Sequence, residues 1–354
     1  LTSSRNFGDC GPSATLDCRG ADSDSELQRQ TAKIVAAMSA LDADIVGVIE
    51  IENNESESLE SLVAALNSDA GEDLYTYIDT GFIGTDAIKV GLIYRPGSVQ
   101  PVGDFKILNA SVDPRFIDTR NRPVLIQTFA EVATGQRFTT AVNHLKSKGS
   151  ACADLGDPDA NDGQGNCNLT RTAAAQALVE YLATDPTDSG DPDILIMGDI
   201  NAYAMEDPIT AIIAGGYSNL VEAFAAGEDP YSFVFSAQWG YLDHALASAS
   251  LAPQVTWVTE WHINADEVYL LDYNDPIRDL GEASFEAKPA STELFAPDAL
   301  RSSDHDPLLI GLSLAVPAES KNACKKGGWE SLSRADGTLF KNQGDCIQYV
   351  NTGK

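Results

Sequence analysis

Apolar residues recur along this chain in two rhythms. Leu27, Ile34, Val35, Met38 and Leu41 share one face at helical spacing, so a helix is expected to begin near Ser23 or Ser25. It gives way to Asp44–Ile49, a short β-branched run of the kind that forms a buried strand. A second helix is expected from about Glu55 to Asn67, presenting Leu59, Leu62, Val63 and Leu66. Strand follows over Ile88–Tyr94, stopped by Arg95-Pro96-Gly97. Val124–Val132 and Arg137–His144 flank Ala133-Thr134-Gly135-Gln136 and predict a hairpin. After a polar loop at 149–168 come a helix over Thr172–Leu182, a buried strand over Ile194–Met197 and a short helix over Asp207–Ala214 with Pro208 near its start. From 231 onward strands dominate, at 231–235, 242–247, 254–259 and 307–314, with 264–300 irregular. Strands interleaved with helices in both halves predict layered α/β packing, with helices covering sheets.

At 354 residues and 43% hydrophobic, the chain is long enough to bury a large core. Charge adds something the pattern does not: 23 Lys+Arg against 53 Asp+Glu leave a net charge of −30. Such a field keeps a protein soluble and monomeric and repels polyanions, and taken alone it argues against nucleic-acid binding, where a basic footprint is expected. It suits a solvated acidic surface, with divalent cations offsetting part of the charge and bridging to an anionic substrate. No apolar run approaches membrane-spanning length.

The six cysteines fall into three local couples, Cys10 with Cys18, Cys152 with Cys167 and Cys324 with Cys346, none at the close spacing of a zinc or redox site. Short-range disulfides and a secreted, extracellular protein are expected. The chain starts at Leu1 without Met or a leader, which predicts a processed protein or a fragment. Residues 1–314 are expected to form one domain and 315–320 a linker. In the tail, 321–354, Lys and Arg outnumber acids six to three, and its small size predicts reliance on its disulfide.

The candidate chemistry lies at the mouths of the apolar strands. Glu50 closes the first; an acid there is costly unless paired or metal-bound, and a Mg²⁺ ligand is expected, with Glu52 a weaker candidate on the same side. Gly198-Asp199-Ile200-Asn201 follows another: Gly198 permits close approach, Asp199 binds metal or orients a nucleophilic water, and the Asn201 amide donates to a phosphoryl oxygen. Asp304-His305 precedes the last long strand, and Asp243 sits in Tyr241–Leu246. A His that activates water needs a carboxylate on its other nitrogen, a role for Asp243, which leaves Asp304 for metal or phosphate. His144, at a strand end, would protonate the leaving oxygen or stabilise the transferred phosphate, with Lys146 and Lys148 adding positive charge. His244 and His262 read as structural. Converging strand ends of this kind point to metal-assisted attack on a phosphate ester.

With these residues in view, the chain resembles the endonuclease/exonuclease/phosphatase family, the fold of deoxyribonuclease I, and within it the bacterial extracellular nuclease branch. The resemblance spans roughly 20–314 through Val48-Ile49-Glu50, Val142–Lys148, Gly198–Asn201, Leu242–Ala245 and Ser303–His305, with Cys18–Asp22 also resembling the extracellular branch. It implies a four-layer α/β sandwich, two mixed β-sheets packed face to face with helices outside. It implies Glu50, Asp304 and Asp199 as Mg²⁺ or Mn²⁺ ligands, and His305, Asp243, Asp199, Asn201 and His144 as the catalytic set. Arg122, with Asn143 and Lys146, would hold the substrate phosphate. The implied activity is hydrolysis of DNA, with RNA a further substrate, by a monomeric endonuclease of low sequence specificity; whether His305 or Asp199 is the base is left open. A phosphomonoesterase or sphingomyelinase-type phosphodiesterase is the alternative, since the same fold serves both; a non-catalytic secreted binding protein is the third reading. Three positions depart from the family pattern. Its members begin with a strand carrying an Asn, for which Asn6-Phe7 is a poor substitute, so a chain lacking its first core strand is expected. Ile49 stands where many members have Gln. Ile88 stands where the acid partner of His144 belongs, with Asp86 as its stand-in. The loop Asp157–Gly163 resembles a calcium loop but misses the EF-hand spacing, leaving structural Ca²⁺ as one reading of it.

Overall fold

Ser23 caps the first helix by accepting a hydrogen bond from the Glu26 amide, and from there elements alternate much as the apolar pattern predicts. The computed structural model describes residues 8–225, 227, 229–277, 288, 294–314, 316–334 and 338–353. In chain order come α1 (Asp24–Leu41), β1 (Ile45–Glu52), α2 (Glu57–Ala70), β2 (Thr76–Tyr77), β3 (Ile88–Tyr94), β4 (Val99–Leu108), β5 (Arg122–Glu131) and β6 (Arg137–His144). Next are α3 (Asn168–Leu182), β7 (Ile194–Asp199), α4 (Asp207–Ala214), β8 (Ser218–Asn219) and α5 (Leu220–Phe224). Then follow β9 (Phe233–Phe235), β10 (Gln238–Gly240), β11 (Asp243–Ala247), β12 (Val255–Glu260) and β13 (Leu308–Leu312). The tail adds β14 (Val316–Pro317), β15 (Leu332–Ser333) and α6 (Gln343–Thr352).

Four layers result. The larger sheet runs β4-β5-β6-β7-β11-β8, with β6 and β7 parallel and the other pairs antiparallel. Against it lies β1-β3-β2, alongside the β12–β13 pair. Val90 and Leu92 of β3 meet Leu125, Phe129, Val142 and Leu195 of the larger sheet in a shared core, joined by Val258, Leu308, Ile310 and Leu312. Outside, Met38, Leu59, Leu62 and Leu66 cover Ile51 and Ile93. On the far side Ala174, Leu178, Ile209 and Ile212 cover Ile126, Ala141 and Ile196. The expected sandwich is therefore present; the larger sheet is mixed, and among the described residues β1, β2 and β3 pair antiparallel.

Between the open edge of β1 and that of β13 runs a cavity of about 920 Å³, lined by Ile45–Ile51 and Leu308–Leu312 and opening at Glu50, Asp199, Asp304 and His305. Asn6 and Phe7, the poor substitute for the family's first strand, lie outside the described residues.

All three expected disulfides form, Cys10–Cys18, Cys152–Cys167 and Cys324–Cys346. The linker expectation needs correcting. Val316 and Pro317 pair in parallel with Leu332 and Ser333, and Ala318 is buried with Cys324, Phe340 and Cys346; Ala315 lies outside the described residues. These apolar side chains give the tail a small core of its own around its disulfide. Among the described residues, no helix is long and apolar enough to cross a membrane.

Candidate active site

Strand register builds the centre of the site. Arg122 on β5 lies opposite His144 on β6, His144 opposite Asp199 on β7, and Asp199 opposite Asp243 on β11. Residues in one rung across adjacent strands project from the same face of a sheet. Four side chains far apart in sequence thus stand in a row at the strand ends. Gly198 makes the row possible: its φ is 114°, and a Cβ there would lie 2.3 Å from the Asn143 carbonyl oxygen.

Glu50 meets this row from the opposing sheet. The β1–β3 register shifts between Val48 and Ile51, and Glu50, inside that irregularity, has a φ of 57°. A bulge of this kind re-aims a side chain. Glu50 Oε1 lies 3.8 Å from His144 Nε2, and Asp199 Oδ2 lies 3.6 Å from the same nitrogen. The Glu50 side chain is 56% exposed, at the mouth of the cleft. The protein crowded around it, and then the charge of Asp304, raise its carboxyl above the ordinary value.

His305 closes the site from the loop before β13. Its Nδ1 donates to Asp243 Oδ2 at 2.6 Å. Burial alone would lower the imidazole, but the Asp243 charge and hydrogen bond, with Asp199 and Asp304, push it up to about 10. Asp243 is held low against its own burial by His305 and by Ser232. Asp199, buried beside Asp243, is pushed up to about 7. Burial drives His144 well below its ordinary value, assisted by Arg122, His305 and Arg19. Its Nδ1 is buried without a hydrogen-bond partner among the described residues.

The structure thus brings Glu50, His144, Asp199, Asn201, Asp243 and His305 together, and exposed Asp304 acts on Glu50 and His305 through its charge. Other expectations need correction. Both Asn201 amide hydrogens are already committed, to Asp199 Oδ2 at 2.7 Å and to the Leu145 carbonyl at 3.0 Å, so Asn201 clamps Asp199 and has no free donor for a phosphoryl oxygen. Asn143 is fully buried, with its amide on the Ala141 carbonyl at 2.9 Å, and does not reach the site surface. Lys146 is buried and bonded to Ser147 and Ser150; it contributes charge. Arg122 sits 2.9 Å from Asp86, which also lies 3.5 Å from Arg19, so Asp86 serves arginines and not His144. Glu52 turns away beneath Cys10, whose Sγ is 2.9 Å from it. His244 bonds to the Ala202 carbonyl and His262 to Asp306. In the candidate calcium loop, Asp157 caps α3 through the Thr170 amide and hydroxyl, and Asp159 and Asp162 fold back onto the Asn161 and Gln164 amides.

Three supporting residues carry no signal in the sequence. Ser232, fully buried, donates to Asp243 Oδ2 at 2.7 Å. Asn264 donates to the His305 carbonyl at 2.7 Å and accepts from the Ser302 amide at 2.8 Å, fixing the loop. Phe233 stacks on His305 with ring centres 4.5 Å apart.

The acids suit a divalent cation. Glu50 and Asp199 are raised partly by their acidic neighbours, a repulsion that a bound cation relieves. Among the described residues, no three ligand atoms of this site lie within 4.8 Å of one another.

Known structures share this architecture. A mannosyl-6-phosphatase of Bacteroides thetaiotaomicron VPI-5482 is similar at 18% identity and a TM-score of 0.52, over 83% of this chain and 95% of that one. An endonuclease/exonuclease/phosphatase of Bacteroides vulgatus is similar at 16% identity and a TM-score of 0.51, over 80% of this chain and 91% of that one. At such identities the likeness establishes the fold alone. No curated protein matches the chain in sequence. The sequence model of the Endonuclease/Exonuclease/phosphatase family matches residues 14–305, and the chain belongs to that family.

Proposed function

We propose that this chain is a secreted, Mg²⁺- or Mn²⁺-dependent nuclease that hydrolyses DNA phosphodiester bonds endonucleolytically with little sequence preference. The observation that carries the reading is the row Arg122–His144–Asp199–Asp243, closed by His305 on one side and Glu50 on the other. It surrounds one position with an acid able to take a proton, donors for phosphate oxygens and carboxylates for a cation. Polyanion binding is supported locally despite the net charge. Arg122, Arg171, Arg120 and Arg19 stand near enough that, after burial, their charges help lower Lys146 to about 8. Three disulfides suit an oxidising compartment.

In this arrangement Asp199 is the base. A general base works best with a pKa near the operating pH, and burial beside Asp243 raises Asp199 from the ordinary carboxylate range toward it. His305, pulled up to about 10, holds its proton and donates to a phosphate oxygen, with Asp243 fixing its ring. His144, kept neutral by burial, serves the phosphate as a hydrogen-bond donor. Glu50 and Asp304 would hold the cation, which supplies charge neutralisation and polarisation of the ester.

The test is supercoiled plasmid incubated with Mg²⁺, with and without EDTA, beside the His305→Ala variant. Nicking that is lost in both comparisons is expected. A folded protein that leaves plasmid intact but releases phosphocholine from sphingomyelin, or phosphate from monoesters, would overturn the nuclease assignment.

A further inference from the structure

We propose that the β9–β10 hairpin is a base-stacking platform, with Phe235 the ring that receives a base next to the scissile phosphate. The inference rests on the nuclease reading and adds how the strand is gripped. Phe233 and Phe235 are two apart on β9 and share a face. Phe233 lies against His305, so Phe235 presents the next ring along the same face, about 7 Å further from the reacting centre. Yet Phe235 is 64% exposed, a large apolar ring left in water beside the site. Its cross-strand partner is the polar Gln238.

The hairpin is anchored to the chemistry. The Ser232 amide donates to the Gly240 carbonyl, the Asp306 amide donates to the Ser232 carbonyl, and the Ser232 hydroxyl holds Asp243. A ring on this support keeps its position relative to His305. Electrostatics favours a base as the occupant. Several of the cations near the site are already engaged: Arg122 with Asp86, Arg120 with Asp154, Lys148 with Glu206 and Lys146 with serines. On a chain of net charge −30, phosphate contacts alone grip a polyanion poorly. Stacking is indifferent to that charge and is substantial for each base. Trp239, equally exposed, pairs with Val234 on the opposite face and packs on Tyr231 at 4.9 Å. It therefore serves as an internal control.

The experiment measures fluorescence anisotropy of a short fluorescein-labelled thymidylate oligomer and of the same oligomer without bases. Both are measured with Mg²⁺ in the His144→Ala background, so that neither strand is cut. Phe235→Ala is expected to weaken binding of the base-containing strand by about tenfold, to leave the baseless strand unchanged and to be rescued by Phe235→Trp; Trp239→Ala leaves the difference between the strands intact. Equal affinity of the parent protein for the two strands would overturn the platform, as would equal loss on both in Phe235→Ala. Binding to sphingomyelin vesicles that falls with Phe235→Ala and Trp239→Ala alike would assign the hairpin to a lipid surface instead. Intact base discrimination in a protein that never nicks plasmid would sink the nuclease reading and spare the platform.

Discussion

Asp243 Oδ2 accepts from both Ser232 Oγ and His305 Nδ1, so one oxygen sets the position of the His305 ring. Removing the hydroxyl leaves the His305 contact in place but frees the carboxylate to rotate. Ser232→Ala is therefore expected to lower kcat by about tenfold with KM unchanged, whereas Asp243→Asn lowers it by about a hundredfold or more. Equal losses in the two variants would show that Ser232 does more than position. Asp199 gives the pH dependence. Burial beside Asp243 raises its carboxyl, and a carboxyl accepts a proton only when ionised, so kcat/KM should fall away on the acid side, with a midpoint that moves down as the bound cation relieves the repulsion. That limb should persist at reduced amplitude in His305→Ala; its disappearance there would make His305 the base. Glu50, Asp199, Asp243 and His305 were legible in the sequence because each is a polar residue breaking or bordering an apolar strand. Ser232 and Asn264 were not, because they act across 11 and 41 residues of chain through contacts that only the folded loops create. Asn201 was legible as a site residue and misread in role, since nothing in the spacing shows that its amide closes onto Asp199.

The two faces of α1 explain what periodicity shows and what it leaves out. Its apolar residues pack toward α2 and β1 as the 3.6-residue rhythm predicts. Its polar face is buried as well: Glu26, Gln30 and Lys33 are covered, with Glu26 held by Asp275 and Lys33 by Asp298 from a much later segment of the chain. Glu26 accepts from the Asp22 and Asp275 amides, tying the helix start to that segment. Glu26→Ala removes the carboxylate that both amides bond to and is expected to cost about 2–4 kcal/mol, with Glu26→Gln losing less; urea denaturation of the pair reads this out. A cost below about 0.5 kcal/mol would mean that water satisfies both amides. Sequence rhythm also passed over β4, the edge strand whose Gln100, Pro101, Gly103 and Asp104 interrupt any alternation. Edge strands tolerate proline because one side needs no ladder partner. The short α6 was likewise missed; its Cys346, disulfide-bonded to Cys324, is buried against Phe340, a contact that no local pattern announces.

At the scale of the molecule, net charge and site pull in opposite directions. The surface field repels a polyanion, while the arginines and lysines that could attract one are collected near the strand ends and largely neutralised by Asp86, Asp154 and Glu206. The layered fold was legible because long buried strands and amphipathic helices alternate; this local concentration of positive charge was not, since Arg19, Arg122, Lys146 and Arg171 are scattered through the sequence and meet only through the topology. Salt dependence follows from the balance. Each phosphate neutralised by protein cations releases about 0.9 counterions from duplex DNA, and a site whose cations are already paired contacts few phosphates. Raising NaCl at fixed Mg²⁺ should therefore reduce kcat/KM on duplex DNA only gently, with a log–log slope shallower than about −5. A steeper slope would mean that the pairs to Asp86, Asp154 and Glu206 open on binding and that DNA takes over the released arginines and lysine. Asp86→Asn separates the two cases: with closed pairs it steepens the slope by freeing Arg122 for phosphate, and with pairs that already open it leaves the slope unchanged.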